Sequence, residues 1–184
     1  HLMSEKKNSY TSTLEHLSKD QRQPLKAPGS LLPSMHLEKA RQEFTYWFGQ
    51  AEQSFAFFQV ALPQKYYREA ALWLHQTIES YYTALLLVCT DYRLEANDLE
   101  ELEALATQFD PALKTVFPTR MEKEVHHFAL LKRACREAPS AEAEIIPPEA
   151  LYALSQRVLL LRVFTQKHCQ EEIQRLTEAT SRAL

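Results

Sequence analysis

His75 and Glu79 stand one helical turn apart in the run from Tyr66 to Tyr92, YYREAALWLHQTIESYYTALLLVCTDY. An imidazole and a carboxylate at i and i+4 share a helix face, a spacing that can seat a metal ion. Only two ligands are visible, so a hydrogen bond or ion pair inside a bundle is the simpler reading. Arg68 and Gln76 are further polar positions on this stretch. With the basic Lys132, Arg133 and Arg136 they are candidates to line a nucleotide groove; the competing reading of the basic cluster is an ordinary solvated face. Arg120, followed by His126 and His127, offers a cation for a phosphate and an imidazole to move a proton, with no metal required.

The elements that must position these residues follow from hydrophobic spacing. Tyr67, Ala71, Leu74, Ile78, Tyr82, Leu85 and Cys89 recur by three and four, which makes 66–92 one long helix. Leu72, Trp73, Leu86, Leu87 and Val88 widen its stripe, so it is expected at the centre of a bundle. A helix over 34–62 carries Leu37, Ala40, Phe44, Ala51, Phe55 and Phe58 and stops at Pro63. Its aromatics read as core rather than as a base-stacking platform. Asn97 or Asp98 caps a short helix over 98–108, and Asp110-Pro111 opens another short helical segment. Thr119 is expected to cap a helix over 120–138 with Val125, Phe128, Leu131 and Cys135 on its apolar side, and Pro148 opens the last helix, to about 179. No stretch alternates with period two. The spacing therefore predicts an all-α, up-and-down bundle of four long helices and one or two short ones over 36–184. A polar arm and linker over 1–35, with a short helix near 12–20, precedes it.

Composition excludes several classes. Two glycines, Gly29 and Gly49, are too few for a phosphate-cradling glycine-rich loop. A net charge of −3 gives no general attraction to nucleic acid, so any such binding needs a local basic patch. Cys89, Cys135 and Cys169 are odd in number and far apart; they read as small buried hydrophobes in a reducing compartment. The apolar run at Leu85 is far shorter than the roughly 20 residues a membrane span needs. A cytoplasmic protein with no cofactor is the expectation. Trp73, Leu87, Val88, Leu159 and Leu160 lie off the main stripes, and such surplus apolar surface predicts a homodimer.

The central helix resembles the second helix of HEPN domains (higher eukaryotes and prokaryotes nucleotide-binding), through Ala70, Ala71, Leu74, His75, Gln76, Glu79 and Ala84 to Leu86. NDLEELEALATQFDP is similar to the family's His-Asp-Leu-x-x-Leu block with Asn97 in place of the His. FALLKRACREA resembles a later segment through Leu130, Leu131, Ala134 and Ala138, with Cys135 where a Tyr is usual and Pro139-Ser140 where Arg-Tyr is usual. The resemblance implies a helical bundle, commonly dimeric, that works with a minimal nucleotidyltransferase partner or binds nucleotide or RNA. Some members are metal-independent ribonucleases with an Arg-x(4–6)-His motif, and Arg120 with His126 or His127 fits that spacing. So does Arg162 with His168, and Glu122 and Glu124 beside the first match would repel phosphate. The leading expectation is a non-catalytic HEPN-type binding module; the alternative is a ribonuclease of the toxin–antitoxin kind, with the Arg on the scissile phosphate and a His on the 2′-hydroxyl.

Overall fold

The computed structural model describes residues 32–183 apart from 91, 96–97 and 137–142. The polar arm up to residue 31, with its expected short helix, lies outside the described residues. Five α-helices follow in order: α1 (Pro33–Ala61), α2 (Tyr67–Cys89), α3 (Leu99–Phe109), α4 (Glu122–Arg133) and α5 (Pro148–Arg182), with a 3-10 segment, Pro111–Thr115, between α3 and α4. There is no strand among the described residues, and the all-helical bundle that the spacing predicts is the fold observed. None of these helices is long and apolar enough to cross a membrane.

The turn from α1 to α2 is set locally. Tyr66 N–H reaches the Ala61 carbonyl at 3.1 Å and Lys65 N–H the Leu62 carbonyl at 3.1 Å. These are the two bonds of a Schellman stop, with Lys65 at φ 64° in the position that usually takes glycine. Pro63 inside this turn prevents continuation. The chain reverses, and α1 packs along α2.

α2 touches every other α-helix. Its run from Ser80 to Val88 is buried without interruption. Leu74, Ile78, Tyr82 and Leu85 are fully buried, and with Phe58, Leu102, Leu131, Leu154, Val158 and Leu161 they form the main core. A second apolar cluster closes one end: Leu37 and Ala40 of α1, Val88 of α2, and Cys169 and Leu176 of α5. That grouping makes α1 antiparallel to both α2 and α5 and sets α2 and α5 parallel. It also corrects two expectations about surplus surface, since Leu87 and Val88 are covered within one chain. Trp73 is half-buried against Phe57, ring centres 4.7 Å apart, while Leu159 and Leu160 remain exposed.

α4 departs from its predicted span. Thr119 does not cap it; Met121 holds the N-cap position with no side-chain hydrogen bond, and Glu122 and Glu124 in the first turn complement the helix dipole instead. The helix ends at Arg133, so Cys135 falls in the following turn and is exposed, as is Val125. Of the three cysteines only Cys169 is fully buried; Cys89 is half-buried. At α3 the expected cap is present: Asp98 accepts from Glu101 N–H at 3.0 Å.

One polar knot joins the three longest helices. Arg162 of α5 grips Glu52 of α1 with both carboxylate oxygens, at 2.7 and 3.1 Å, and Tyr81 of α2 donates its hydroxyl to the same carboxylate. The guanidinium lies 5.5 Å from the Phe48 ring centre. Partial burial pushes the Glu52 carboxyl up, but the bonds from Arg162 and Tyr81 outweigh this and hold it below its ordinary value of 4.5. A depressed carboxyl contributes stability above its unfolded value and loses it as pH falls through the folded one. Glu52→Gln should therefore cost on the order of 1 kcal/mol at neutral pH, a modest figure because the knot is partly solvated. Thermal melts should show the deficit shrinking as pH drops below the ordinary carboxylate range; a deficit that does not change with pH would contradict the charge-based account.

Candidate functional site

His75 sits 5% exposed on α2 with Nδ1 2.9 Å from the Leu131 carbonyl of α4. A carbonyl only accepts, so Nδ1 carries the proton and Nε2 turns toward Glu79, 3.7 Å from Oε2. Leu131 belongs to the last turn of α4, and Ala134 N–H also reaches its carbonyl, at 3.1 Å, in a tighter i+3 bond. His75 thus acts as a C-terminal cap delivered from another helix. Burial raises the Glu79 carboxyl above its ordinary value, with His75 pulling it back. Among the described residues no third His, Cys, Asp or Glu completes a metal-binding group with this pair. Gln76 is half-buried beside it.

The basic residues near the end of α4 are brought to α3, whose sequence is acidic. Lys132 Nζ lies 3.0 Å from Glu103 and 4.9 Å from the Phe128 ring centre. Arg136 meets Asp98 at 3.2 Å and Glu100 at 3.5 Å. Arg133 is exposed and bonds back to the Ala129 carbonyl at 3.3 Å. Lys132 and Arg136 are therefore ties between helices, not the wall of an open basic groove.

Arg120 and His126 are exposed and His127 half-buried around the start of α4, with the two imidazole ring centres 6.1 Å apart. Consecutive helical residues diverge by about 100°. His126 Nε2 accordingly meets both carboxylate oxygens of Glu144, each at 3.0 Å, in the segment before α5. His127 lines a groove of about 290 Å³ between α4 and α5 with Lys123, Glu124, Glu149 and Arg157. Arg120 is exposed ahead of α4 and lines neither that groove nor the cavity described next. The second Arg–His match is divided more completely: Arg162 belongs to the Glu52 knot, and His168 meets Asp110 at 3.0 Å between the rings of Phe109 and Phe164.

A cavity of about 280 Å³ opens where the first turns of α2 approach the end of α4. Its walls are largely apolar, from Leu72, Leu130, Ile145 and Ile146, and its polar edge holds Arg68, Glu69 and Glu144. Arg68 Nη2 lies 3.4 Å from the Ala143 carbonyl across this space. Arg68 is thus the one expected ligand-binding residue that lines a cavity here. Glu144 and Arg157 were not anticipated from the sequence. Glu144 sits in a loop with no periodicity to mark it, whereas Lys123 with His127, and Ala153 with Arg157, each stand at i and i+4 on facing helices.

His75→Ala should lower stability by about 2 kcal/mol, from a buried hydrogen bond and the space left behind. Glu79→Gln should behave differently. A carboxyl whose folded value is raised loses stability as pH rises through that value, so the amide should match or slightly exceed the parent at neutral pH, with no advantage at acidic pH. Thermal melts of the two variants test this; a His75→Ala protein as stable as the parent would remove the capping role. No family model matches the chain, and a search of curated proteins finds no match.

Proposed function

We propose that the chain is a non-catalytic binding module of the HEPN type, cytoplasmic and homodimeric, that takes nucleotide or RNA and works beside a nucleotidyltransferase protein. The observation that carries the non-catalytic part is the engagement of His126 by the Glu144 carboxylate. A phosphodiester-cleaving pair needs its cation and its proton carrier on one phosphate within hydrogen-bond reach. Here His126 is engaged by Glu144, Arg120 shares neither cavity with His127, and Glu122 and Glu124 add negative charge at the same helix end. The binding part of the reading is supported by the cavity at Arg68. Its apolar walls suit a base or another flat ring, and the Arg68 guanidinium suits a hydrogen-bond acceptor of the ligand, with Glu69 and Glu144 on the same edge disfavouring a highly charged phosphate.

A metal-independent ribonuclease is the second reading because His127 shares its groove with Lys123 and Arg157, although Glu124 and Glu149 line it too. One experiment separates them. Parent protein and the Arg120, His126 and His127 triple-alanine variant are incubated with a mixed RNA pool, and both should leave it intact. Rapid cleavage by the parent that disappears in the variant would establish the ribonuclease. In calorimetry the parent should bind a nucleotide or short RNA, and Arg68→Ala should weaken that binding roughly tenfold, the loss of one charge-assisted contact. Absence of binding by the parent across nucleotides and RNA oligomers would defeat the module reading.

A further inference from the structure

Cys89 and Cys169 are far apart in sequence and adjacent in the bundle. Cys89 is the last residue of α2, and Cys169 lies on α5 beyond the Glu52 knot. The parallel run of α2 and α5 sets Cys169 Sγ 3.8 Å from the Ala84 carbonyl, little more than one turn before Cys89. Both side chains belong to the small apolar cluster that closes this end of the bundle. Cys169 is fully buried within it, and Cys89 packs against it half-buried. A hydrogen bond with the Cys89 thiol, and then burial, push the Cys169 thiol far above the ordinary cysteine range. Cys135 stands apart from this pair, exposed in the turn after α4.

A cysteine that serves only as a small apolar filler needs no second thiol beside it. Here each helix contributes one, and their exposures differ in a way that fits an ordered reaction. Cys89 is open enough to meet a small oxidant, whereas Cys169, 0% exposed, has no surface of its own to offer one. We infer that Cys89 and Cys169 form a redox latch, in which hydrogen peroxide oxidises the pair to a disulfide fastening α5 to the end of α2 and a dithiol reductant reopens it. The Cys89 thiolate attacks one peroxide oxygen and the O–O bond breaks. The departing hydroxide takes up the proton that the thiol released, leaving a sulfenic acid and water. The Cys169 sulfur then attacks the Cys89 sulfur, the S–O bond breaks, and hydroxide leaves with the Cys169 proton as a second water. Two thiols lose two electrons and one peroxide gains them. Because its thiol is held protonated, Cys169 acts second, once its partner has been oxidised. The location gives the bond leverage. Apart from the two cysteines, this end is closed by Leu37, Ala40, Val88 and Leu176, with an exposed tie from Arg41 to Thr177 at 3.5 Å. The Arg68 cavity lies at the opposite end of α2, so the latch stands independently of its ligand.

Peroxide treatment of the full chain carrying Cys135→Ser tests the latch. That substitution is at an exposed position and removes the thiol most open to links between chains. A slight excess of hydrogen peroxide should remove the two remaining thiols together, and the intact mass should fall by about 2 Da, the two hydrogens given up. Peptide mapping should find Cys89 joined to Cys169, and dithiothreitol should restore both thiols. The oxidised protein should melt roughly ten degrees above the reduced one, because the bond closes a loop of about 80 residues. Adding Cys169→Ala should leave Cys89 as a sulfenic acid that dimedone traps, whereas adding Cys89→Ser should leave Cys169 unmodified. The decisive measurements need only the Cys135→Ser protein, so they stand even where a change at buried Cys169 unfolds the chain. Two thiols that stay free, or a gain of oxygen with no link between them, would overturn the pair. A link that leaves the melting temperature unchanged would overturn its action as a latch.

Discussion

The constraint on which the rest of the structure depends is the burial of α2, unbroken from Ser80 to Val88 and on one side of the helix before that. Each polar side chain buried there must be met by something other than water, because an orphaned buried donor or acceptor costs about 1–3 kcal/mol. The bundle meets this by three routes. Thr77 and Thr83 return their hydroxyls to the carbonyls four residues back, each at 2.8 Å. Tyr81 reaches Glu52 on α1 and, through it, Arg162 on α5. His75 reaches the end of α4. The Tyr82 hydroxyl is the exception, buried with no hydrogen-bond partner among the described residues, and we have no physical account of it. The last two routes tie α2 to its neighbours with directional bonds where apolar packing alone would tolerate sliding.

The same economy governs the charges. Lys132, Arg133 and Arg136 cluster in sequence and invite a reading as an anion-binding face, but proximity along the chain is not potential in space. α3 lays Asp98, Glu100 and Glu103 beside them, and the field of two of these cations is largely cancelled. Surface pairs of this kind add little stability; their effect is to remove the two cations from service as ligand-binding groups. The candidate cavity is lined by Arg68, which also reaches the Ala143 carbonyl, with Glu69 and Glu144 on its edge and apolar walls behind them, a smaller arrangement than a basic patch.

Helix existence was legible in the sequence because it is recorded in spacing that any neighbour would respect. Pro63, Asp98 and Pro148 likewise fixed ends through local chemistry: a missing N–H, a side-chain cap, a preset φ. The end of α4 was not legible. Nothing in Lys132 to Ala138 breaks a helix; the helix stops where His75, more than fifty residues earlier, takes the Leu131 carbonyl and the backbone tightens into i+3 bonds at Ala134 and Arg136. Cys135 is exposed for that reason. The misplacement of Leu87 and Val88 has a similar origin: a helical wheel of α2 shows which residues are apolar, not that α1 and α5 both arrive at its far end. For the candidate site, the spacing of Arg120 and the histidines was readable, whereas the engagement of His126 by Glu144 depends on a loop path with no local signature.

These long-range contacts bring the buried histidine beside the candidate cavity without making it part of the lining. The cavity beside Arg68 is walled on one side by α2, from Tyr67 to Leu72, and on the other by Leu130 and Ala134 at the end of α4. Leu131 lies between those two residues, and its carbonyl is the group His75 holds. The bond that holds this carbonyl lies one to two turns further along α2 than the cavity wall. A packed core has little free volume in which to absorb a shift of that group. Removing the imidazole would take away a buried hydrogen bond to the residue that lies between Leu130 and Ala134 of the cavity wall. His75 is in this sense a strut of the bundle that stands next to the wall of the candidate cavity.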